Sequence, residues 1–168
     1  MLIGARGCGK TAIGRKLADR LWHTFVDVDE LIVRKAGKTI REIFEQDGEQ
    51  KFREIETKVI REVMPLEEHV IALGGGSLMR EENCQLIREA GHRMIYLRCE
   101  SQELHRRIKA DPNSAATRPN LTKHGGGLAE IEQLLAEREP VYRQCKHAEL
   151  DVTDLTPEEA SVRLVKLM

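Results

Sequence analysis

The stretch GARGCGKT at residues 4–11 constrains the fold of this chain more than any other feature. Gly4, four further residues, and then Gly9, Lys10 and Thr11 form the Walker A pattern, with a short apolar segment before it and an amphipathic segment after it. Glycines allow such a loop to turn its backbone N–H groups toward phosphate oxygens, and the lysine reaches the β and γ phosphates. The stretch therefore predicts a phosphate-binding loop between a β-strand and the start of an α-helix.

The composition indicates one domain and excludes several kinds of partner. A length of 168 residues and a hydrophobic fraction of 40% suit a single domain at residues 1–168. The 27 Lys and Arg residues nearly cancel the 28 Asp and Glu residues, so we expect no nucleic-acid partner and no membrane partner. The sequence has no apolar run of membrane-spanning length and no signal-peptide pattern, and its four cysteines have no metal-ligand or disulfide spacing. We therefore expect a cytoplasmic protein.

Short apolar runs alternate with longer segments of helical period, which is typical of a parallel sheet covered by helices. The predicted strands are MLI, TFVDV, HVIAL, RMIYL and AELDV. Thr39 with Glu42, and Thr156 with Glu159, have the spacing of capping boxes that start helices. The pattern predicts an α/β fold with five strands.

Two segments depart from this alternation. Residues 29–64 hold two or three predicted helices, more than a simple crossover between strands needs. Residues 109–127 are polar, with two prolines and three consecutive glycines, and loops of that length are usually either functional lids or disordered. We expect both segments to contribute to function.

The sequence DVD places Asp27 and Asp29 at the end of the second predicted strand. In an open α/β sheet, that end of the strand faces the ligand crevice, and alternate strand residues point to the same side. One carboxylate could then hold Mg²⁺ through water while the other deprotonates an attacking alcohol. The alternative is a pair that caps the following helix, and the spacing alone does not choose between them.

Three arginines and a glycine run are further candidates. Arg53 flanks an apolar helix stripe with Glu56 one turn later, so it could be a salt bridge or a bidentate carboxylate ligand. Arg138 lies beside the core side of a later helix, and Arg118 lies in the long polar loop, where a solvated charge is the default. The run 74–76, GGG, directly follows a buried strand and allows a ligand to touch the backbone.

The motifs together resemble one known family. The guanine-reading and Asp-x-x-Gly segments of switch GTPases are missing from the sequence. The phosphate loop, DVD, GEQKFREIE, LGGGS, TRP and EREPVY occur in an order that resembles shikimate kinase from end to end. The lid Arg-Pro is followed by Asn120 and Leu121, where the family commonly has two leucines, and the lid looks long.

The resemblance implies a P-loop NTPase fold like that of the nucleoside monophosphate kinases: a five-stranded parallel sheet flanked by helices, a substrate-binding region at 29–64 and a lid at 109–127. It implies an enzyme that uses ATP and Mg²⁺ to phosphorylate the 3-hydroxyl of shikimate, giving shikimate 3-phosphate and ADP in chorismate and aromatic amino-acid biosynthesis. We expect a monomer, because no extended apolar stripe is left over after the core.

The resemblance also implies roles for individual residues. The expected catalytic residues are Lys10, Asp29 and Arg118. The expected shikimate ligands are Asp29, Arg53, Gly74, Gly75, Gly76 and Arg138, with the two arginines on the substrate carboxylate. The expected ATP ligands are Gly7, Cys8, Gly9, Lys10, Thr11, Ala12, Arg107, Arg118 and Pro157. The expected metal ligands are Thr11 and Asp27.

Two other functions fit the same motifs. One is a P-loop kinase for another carboxylated polyol such as gluconate, which would also need a carboxylate site, and a substrate panel separates it. The other is a catalytically silent protein of shikimate-kinase type that serves as a binding module.

Overall fold

The computed structural model describes residues 1–111 and 127–168 of the chain. Its strands are Leu2–Ile3 (β1), Thr24–Asp27 (β2), His69–Ala72 (β3), Ile95–Arg98 (β4) and Ala148–Asp151 (β5). They form one sheet in the order β2-β3-β1-β4-β5, and every pair of neighbours is parallel. The predicted five-stranded parallel sheet is confirmed.

Eight α-helices are present in the described part of the chain. They are Lys10–Leu21 (α1), Val28–Ala36 (α2), Ile40–Gln46 (α3), Gly48–Val63 (α4), Glu81–Glu89 (α5), Ser101–Ala110 (α6), Leu128–Cys145 (α7) and Pro157–Val165 (α8), and a short 3₁₀ turn covers Ser77–Met79. Among the described helices none has the length and apolar character needed to cross a membrane. The helices α2, α3 and α4 fill the predicted insertion between β2 and β3.

Hydrophobic residues pack on both faces of the sheet. Neighbouring strand residues alternate between two core clusters, so Leu2 belongs to one cluster and Ile3 to the other. The cluster that contains Ile3 includes residues of α2, α3, α4 and α5, and the cluster that contains Leu2 includes residues of α1 and α8. The two-sided burial explains why the strands read as continuous apolar runs.

Both predicted capping boxes are present. The side chain of Thr39 accepts a hydrogen bond from the backbone N–H of Glu42, and Thr156 does the same with Glu159. Each glutamate in turn accepts from the backbone N–H of its threonine. These local signals start α3 and α8 where the sequence predicts them.

The parallel orientation of the strands brings the carboxyl ends of all five to one edge of the sheet. β1 lies at the centre of the sheet. β3 and β2 lie on one side of it, and β4 and β5 lie on the other. In such a sheet the ligand crevice lies where the strand order reverses, outside the carboxyl ends. The loops after β1, β2, β3 and β5 therefore face a common region. Most of the predicted lid, including Arg118, Asn120 and Leu121, lies outside the described residues.

Candidate functional site

The loop after β1 has a backbone that only glycines adopt readily. Gly4, Gly7 and Gly9 have φ angles of 145°, 85° and 97°. These angles lie in the region that side chains disfavour. A Cβ on Gly4 would also lie 2.6 Å from the carbonyl oxygen of Leu97. Gly9 precedes α1 without a side-chain cap, so the first N–H groups of α1 are directed at the loop.

Lys10 is held inside this loop. Its ammonium group donates hydrogen bonds to the carbonyl oxygens of Gly4 at 2.7 Å and Ala5 at 2.9 Å. The Sγ atom of Cys8 lies 3.8 Å from the same nitrogen, and the Cys8 side chain is completely buried. Cys8 therefore packs beneath the loop, and only its backbone can contribute to the site.

Asp27 connects the phosphate loop to helix α2. Its contacts differ from the expectation that Asp27 and Asp29 lie on one strand. Oδ2 of Asp27 accepts a 2.6 Å hydrogen bond from the hydroxyl of Thr11. Oδ1 accepts from the backbone N–H groups of Asp29 and Glu30 and caps α2. β2 ends at Asp27, so Asp29 lies in the first turn of α2. The expectation that the two aspartates alternate along a strand is wrong, because the helix starts one residue earlier than the apolar run suggests.

The loop, Asp27 and Asp29 line one cavity of about 350 Å³, here named the P-loop cavity. The other side chains in its lining include Arg6, Leu73, Arg107, Ile108 and Asp111. Thr11, Asp27 and Asp29 offer hydroxyl and carboxylate oxygens, which are the donors that Mg²⁺ prefers. The described residues contain no group of three His, Cys, Asp or Glu side chains suited to a metal. This donor set fits an ion that takes its remaining ligands from phosphate and water.

A second cavity, here named the glycine-loop cavity, lies beside the first. Its volume is about 60 Å³. Its lining comprises Arg6, Asp29, Ile40, Phe44, Phe52, Arg53, Glu56, Gly74, Gly75, Gly76 and Arg138. The six predicted substrate ligands thus lie around one space, although they come from four separate segments of the chain. Arg6 and Asp29 line both cavities.

Arg53 is fixed by a buried carboxylate. Its Nη1 donates to Glu56 at 2.9 Å, and its Nη2 donates to Glu49 at 3.2 Å. Glu56 is 1% exposed and also accepts a 2.7 Å bond from the hydroxyl of Ser77. Burial raises the pKa of Glu56, and the adjacent charge of Arg53 opposes that rise. The sequence left open whether Arg53 forms a salt bridge or binds a carboxylate ligand. The two interpretations are compatible, because the salt bridge to Glu56 holds the guanidinium at the wall of the cavity.

Arg138 faces the glycine run from α7. Its Nη1 lies 3.6 Å from the position that a Cβ on Gly75 would take, and the backbone nitrogen of Arg6 lies 3.3 Å from the same point. Gly76 is still closer to Arg53, whose Nη1 and Nη2 would lie 2.9 Å from a Cβ there. The two arginines therefore approach the run from different elements, where no side chain separates them from the backbone.

A third cavity, here named the Arg107 cavity, has a volume of about 610 Å³. It shares Gly9, Ala12 and Arg107 with the P-loop cavity and is also lined by Glu103, Arg106 and the loop from Thr153 to Pro157. Nη2 of Arg107 donates to the carbonyl oxygens of Val152 and Thr153, both at 2.9 Å. Its Nε donates to Glu103 at 2.7 Å. Hydrogen bonds from Arg106 and then Arg107 lower the pKa of Glu103 to about 2.

Sequence reasoning missed several residues of the site. Arg6 is at a variable position of the Walker A pattern, so the motif assigns it no function. Its position between Gly4 and Gly7 nevertheless indicates that it lies close to the phosphate site. Ser77 supports Glu56, and Ile40 and Phe44 form part of the apolar wall of the glycine-loop cavity. Nothing in their local sequence indicates these contacts, because each depends on the packing of distant elements. Arg118 lies outside the described residues.

The comparison with protein families gives one match that spans nearly the whole chain. The family described as "Shikimate kinase" matches residues 6–168. The shikimate kinase of Thermobifida fusca is 39% identical over 166 residues, which are 99% of this chain and 92% of that protein. The shikimate kinase of Caldicellulosiruptor bescii is 40% identical over 167 residues, covering 99% of this chain and 93% of the relative.

Solved structures agree with these matches. The shikimate kinase from Acinetobacter baumannii, solved in complex with shikimate, superposes with a TM-score of 0.90 and 31% identity. The match covers 99% of this chain and 89% of that one. A gluconokinase from Sinorhizobium meliloti gives a TM-score of 0.62 at 19% identity over 99% of this chain and 92% of that one, and this likeness extends to the fold alone.

Proposed function

The chain belongs to the shikimate kinase family, and from that membership we propose how its own residues carry out the reaction. The protein is an ATP-dependent kinase that phosphorylates shikimate to shikimate 3-phosphate. The observation that carries the assignment of its sites is the junction of two cavities. Arg6 and Asp29 line both the P-loop cavity and the glycine-loop cavity, so a donor phosphate and an acceptor hydroxyl can meet between them.

Shikimate occupies the glycine-loop cavity. Arg53 and Arg138 bind its carboxylate, because guanidinium groups match carboxylate oxygens in bidentate pairs. A neutral polyol would make no charge-assisted pair with Arg53 or Arg138, although Arg53 would keep its bonds to Glu56 and Glu49. The charge pattern of this cavity therefore favours a carboxylated acceptor. Backbone N–H groups of the run Gly74–Gly76 bind its remaining polar groups.

Asp29 acts on the attacking hydroxyl. It lies at the start of α2 and lines both cavities, so a carboxylate oxygen of Asp29 can accept the hydroxyl proton as the oxygen attacks. Arg6 lies at the same junction, and its charge compensates that of the phosphoryl group as it passes between the cavities.

ATP occupies the P-loop cavity and the Arg107 cavity. The backbone of Gly7–Ala12 and the start of α1 bind the phosphates, Lys10 moves from its loop carbonyls to the β and γ phosphates, and the adenine lies between Arg107 and Pro157. Thr11 would bind Mg²⁺ and Asp27 would hold it through water, and the ion would supply positive charge against the phosphates. The predicted lid, including Arg118, would close over the site to exclude water and to stabilise the transferring group.

We further propose that the enzyme works as a cytoplasmic monomer. The proposal of a monomer rests on the sequence, which leaves no extended apolar stripe after the core. The four cysteines are free thiols, which suits a reducing compartment. Light scattering coupled to size-exclusion chromatography measures the oligomeric state directly.

The decisive experiment is ADP release from ATP and Mg²⁺ with shikimate, quinate, gluconate or no acceptor. Turnover with shikimate far above the other acceptors is the expected result. Preferred turnover with gluconate would contradict the assignment of the glycine-loop cavity. ATP binding without turnover on any acceptor would support a silent binding module and contradict the kinase assignment.

A further inference from the structure

The buried side chain of Tyr142 connects α7 to the glycine run after β3. Tyr142 is 1% exposed, and its hydroxyl donates a hydrogen bond to the carbonyl oxygen of Gly75. Its ring packs against that of Tyr96, with the ring centroids 5.2 Å apart. Tyr142 lies one helical turn after Arg138, whose guanidinium is a hydrogen-bonding neighbour of the same hydroxyl. One side chain thus contacts both the run and the arginine that faces it.

The bond to Gly75 fixes the direction of the next N–H group. The carbonyl of Gly75 and the N–H of Gly76 belong to one trans peptide, so they point in opposite directions. Tyr142 holds this carbonyl, so the N–H of Gly76 points away from the Tyr142 hydroxyl. A Cβ on the same residue would face Arg53, which lines the glycine-loop cavity. Within residues 1–111 and 127–168, the backbone hydrogen bonds of turns and loops include none donated by this N–H.

The glycine run needs such a contact because it lacks side chains of its own. The N–H of Ser77 donates to the carbonyl of Gly74 and closes a turn, and the N–H of Met79 donates to the carbonyl of Gly76. The central peptide of this turn, between Gly75 and Gly76, takes part in neither bond, and glycine allows such a peptide to rotate more freely than other residues do. A Cβ position on Gly75 lies within 3.6 Å of both Arg138 and the backbone of Arg6. A rotation of the Gly75–Gly76 peptide would therefore change the contacts of Gly75 with Arg138 and with the backbone of the phosphate loop.

The hydroxyl of Tyr142 remains a donor over the working pH range. Burial raises the pKa of Tyr142 above its ordinary value, and the charge of Arg138 only partly opposes the rise. Tyr142 itself is not among the residues that line the P-loop cavity or the glycine-loop cavity. Its action on a ligand must pass through the residues that it contacts.

We propose that Tyr142 is a positioning residue for shikimate. Its hydroxyl fixes the Gly75–Gly76 peptide so that the N–H of Gly76 donates a hydrogen bond to the substrate beside Arg53 and Arg138. The proposal rests on the shikimate kinase activity assigned above and extends it to a side chain in the core. It concerns the affinity for shikimate and leaves phosphoryl transfer to the residues at the cavity junction.

The test compares Tyr142→Phe with Tyr96→Phe. Each change removes one hydroxyl from the same pair of packed rings, and the hydroxyl of Tyr96 donates to Glu139 at 3.0 Å rather than to the glycine run. In Tyr142→Phe we expect the KM for shikimate to rise about tenfold, as for the loss of one well-placed hydrogen bond. The kcat and the KM for ATP should stay within about twofold of wild type, and Tyr96→Phe should leave all three constants unchanged.

A wild-type KM for shikimate in Tyr142→Phe would overturn the inference, and so would an equal rise in Tyr96→Phe. Thermal unfolding of both variants detects a general loss of stability.

If Tyr142→Phe loses activity on warming, calorimetric titration with shikimate at low temperature replaces the kinetic measurement. We expect weaker shikimate binding in that variant, and unchanged binding would contradict the inference. A wild-type enzyme without shikimate turnover would contradict the proposed function as well, whereas an active wild type with unchanged Tyr142→Phe constants would contradict the inference alone.

Discussion

The hydroxyl of Thr11 donates a hydrogen bond of 2.6 Å to Oδ2 of Asp27, while Oδ1 of the same carboxylate caps the helix that carries Asp29. This single carboxylate therefore links the first turn of α1 to the end of β2 and the start of α2. The proposed metal ligands and the proposed base are fixed relative to one another by these bonds.

The two functions of Asp27 are separable by substitution. Asn at this position keeps a side-chain oxygen for the helix cap but removes the charge, whereas Ala removes both. We expect Asp27→Asn to raise the Mg²⁺ concentration needed for half-maximal activity about tenfold or more with little change in stability. Asp27→Ala should lose a further ~1 kcal/mol of unfolding free energy. Activity titrated with Mg²⁺ and urea denaturation measure the two effects, and an unchanged Mg²⁺ requirement in Asp27→Asn would contradict the metal assignment.

Arg53→Ala should weaken shikimate binding selectively. The change removes a charge-assisted contact to the substrate carboxylate, so we expect the KM for shikimate to rise between about 10-fold and 100-fold, with a smaller effect on the KM for ATP. The matched control is Arg61→Ala on the same helix, because Arg61 is 57% exposed and pairs with Glu82 outside the cavities. Initial rates over a shikimate series distinguish the two variants, and equal values of KM would show that Arg53 is not a substrate ligand.

Gly76→Ala tests the close approach of Arg53 to the backbone. A Cβ on Gly76 would lie 2.9 Å from two guanidinium nitrogens, and these must shift away from their present position. The backbone itself tolerates alanine, since φ of Gly76 is −105°. We expect a folded variant with a KM for shikimate raised at least about fivefold, on the scale of one weakened polar contact.

Gly127→Ala is the control for that change. Gly127 has a φ of −83°, and no atom of residues 1–111 or 128–168 lies within 4 Å of its Cβ position. Kinetic constants and melting temperatures of the two variants should be measured together. Retention of the wild-type KM in Gly76→Ala would mean that Arg53 does not need its present position to bind shikimate.

Glu103 gives the enzyme a defined acid dependence. Its pKa is lowered from an ordinary value of 4.5 to about 2 by hydrogen bonds from Arg106 and Arg107. Ionised Glu103 therefore stabilises the folded state above pH 4.5, and this contribution is lost as the pH falls from 4.5 toward 2. We expect Glu103→Gln to melt at a lower temperature than wild type at pH 7, and the difference to shrink below pH 4.5. A difference that is independent of pH would exclude this origin.

Local sequence signals predicted much of the fold. Branched apolar runs identify all five strands, and the threonine and glutamate pairs at 39–42 and 156–159 identify two helix starts, because both signals depend on neighbouring residues alone. The same local signals place the boundary between β2 and α2 incorrectly. Val28 continues the apolar run, and only the cap formed by Asp27 ends the strand before it.

The phosphate loop, the succession of strands and helices, and the family can be read from spacing along the chain, because each of these signals is local. Which charges share a site depends on how distant elements pack. Arg53, Gly75 and Arg138 come from α4, the loop after β3, and α7, and the parallel sheet brings them together by aligning the carboxyl ends of its strands. The partners of Arg53 and Gly75 also follow from packing, since Glu56, Ser77 and Tyr142 are buried contacts that no local pattern encodes.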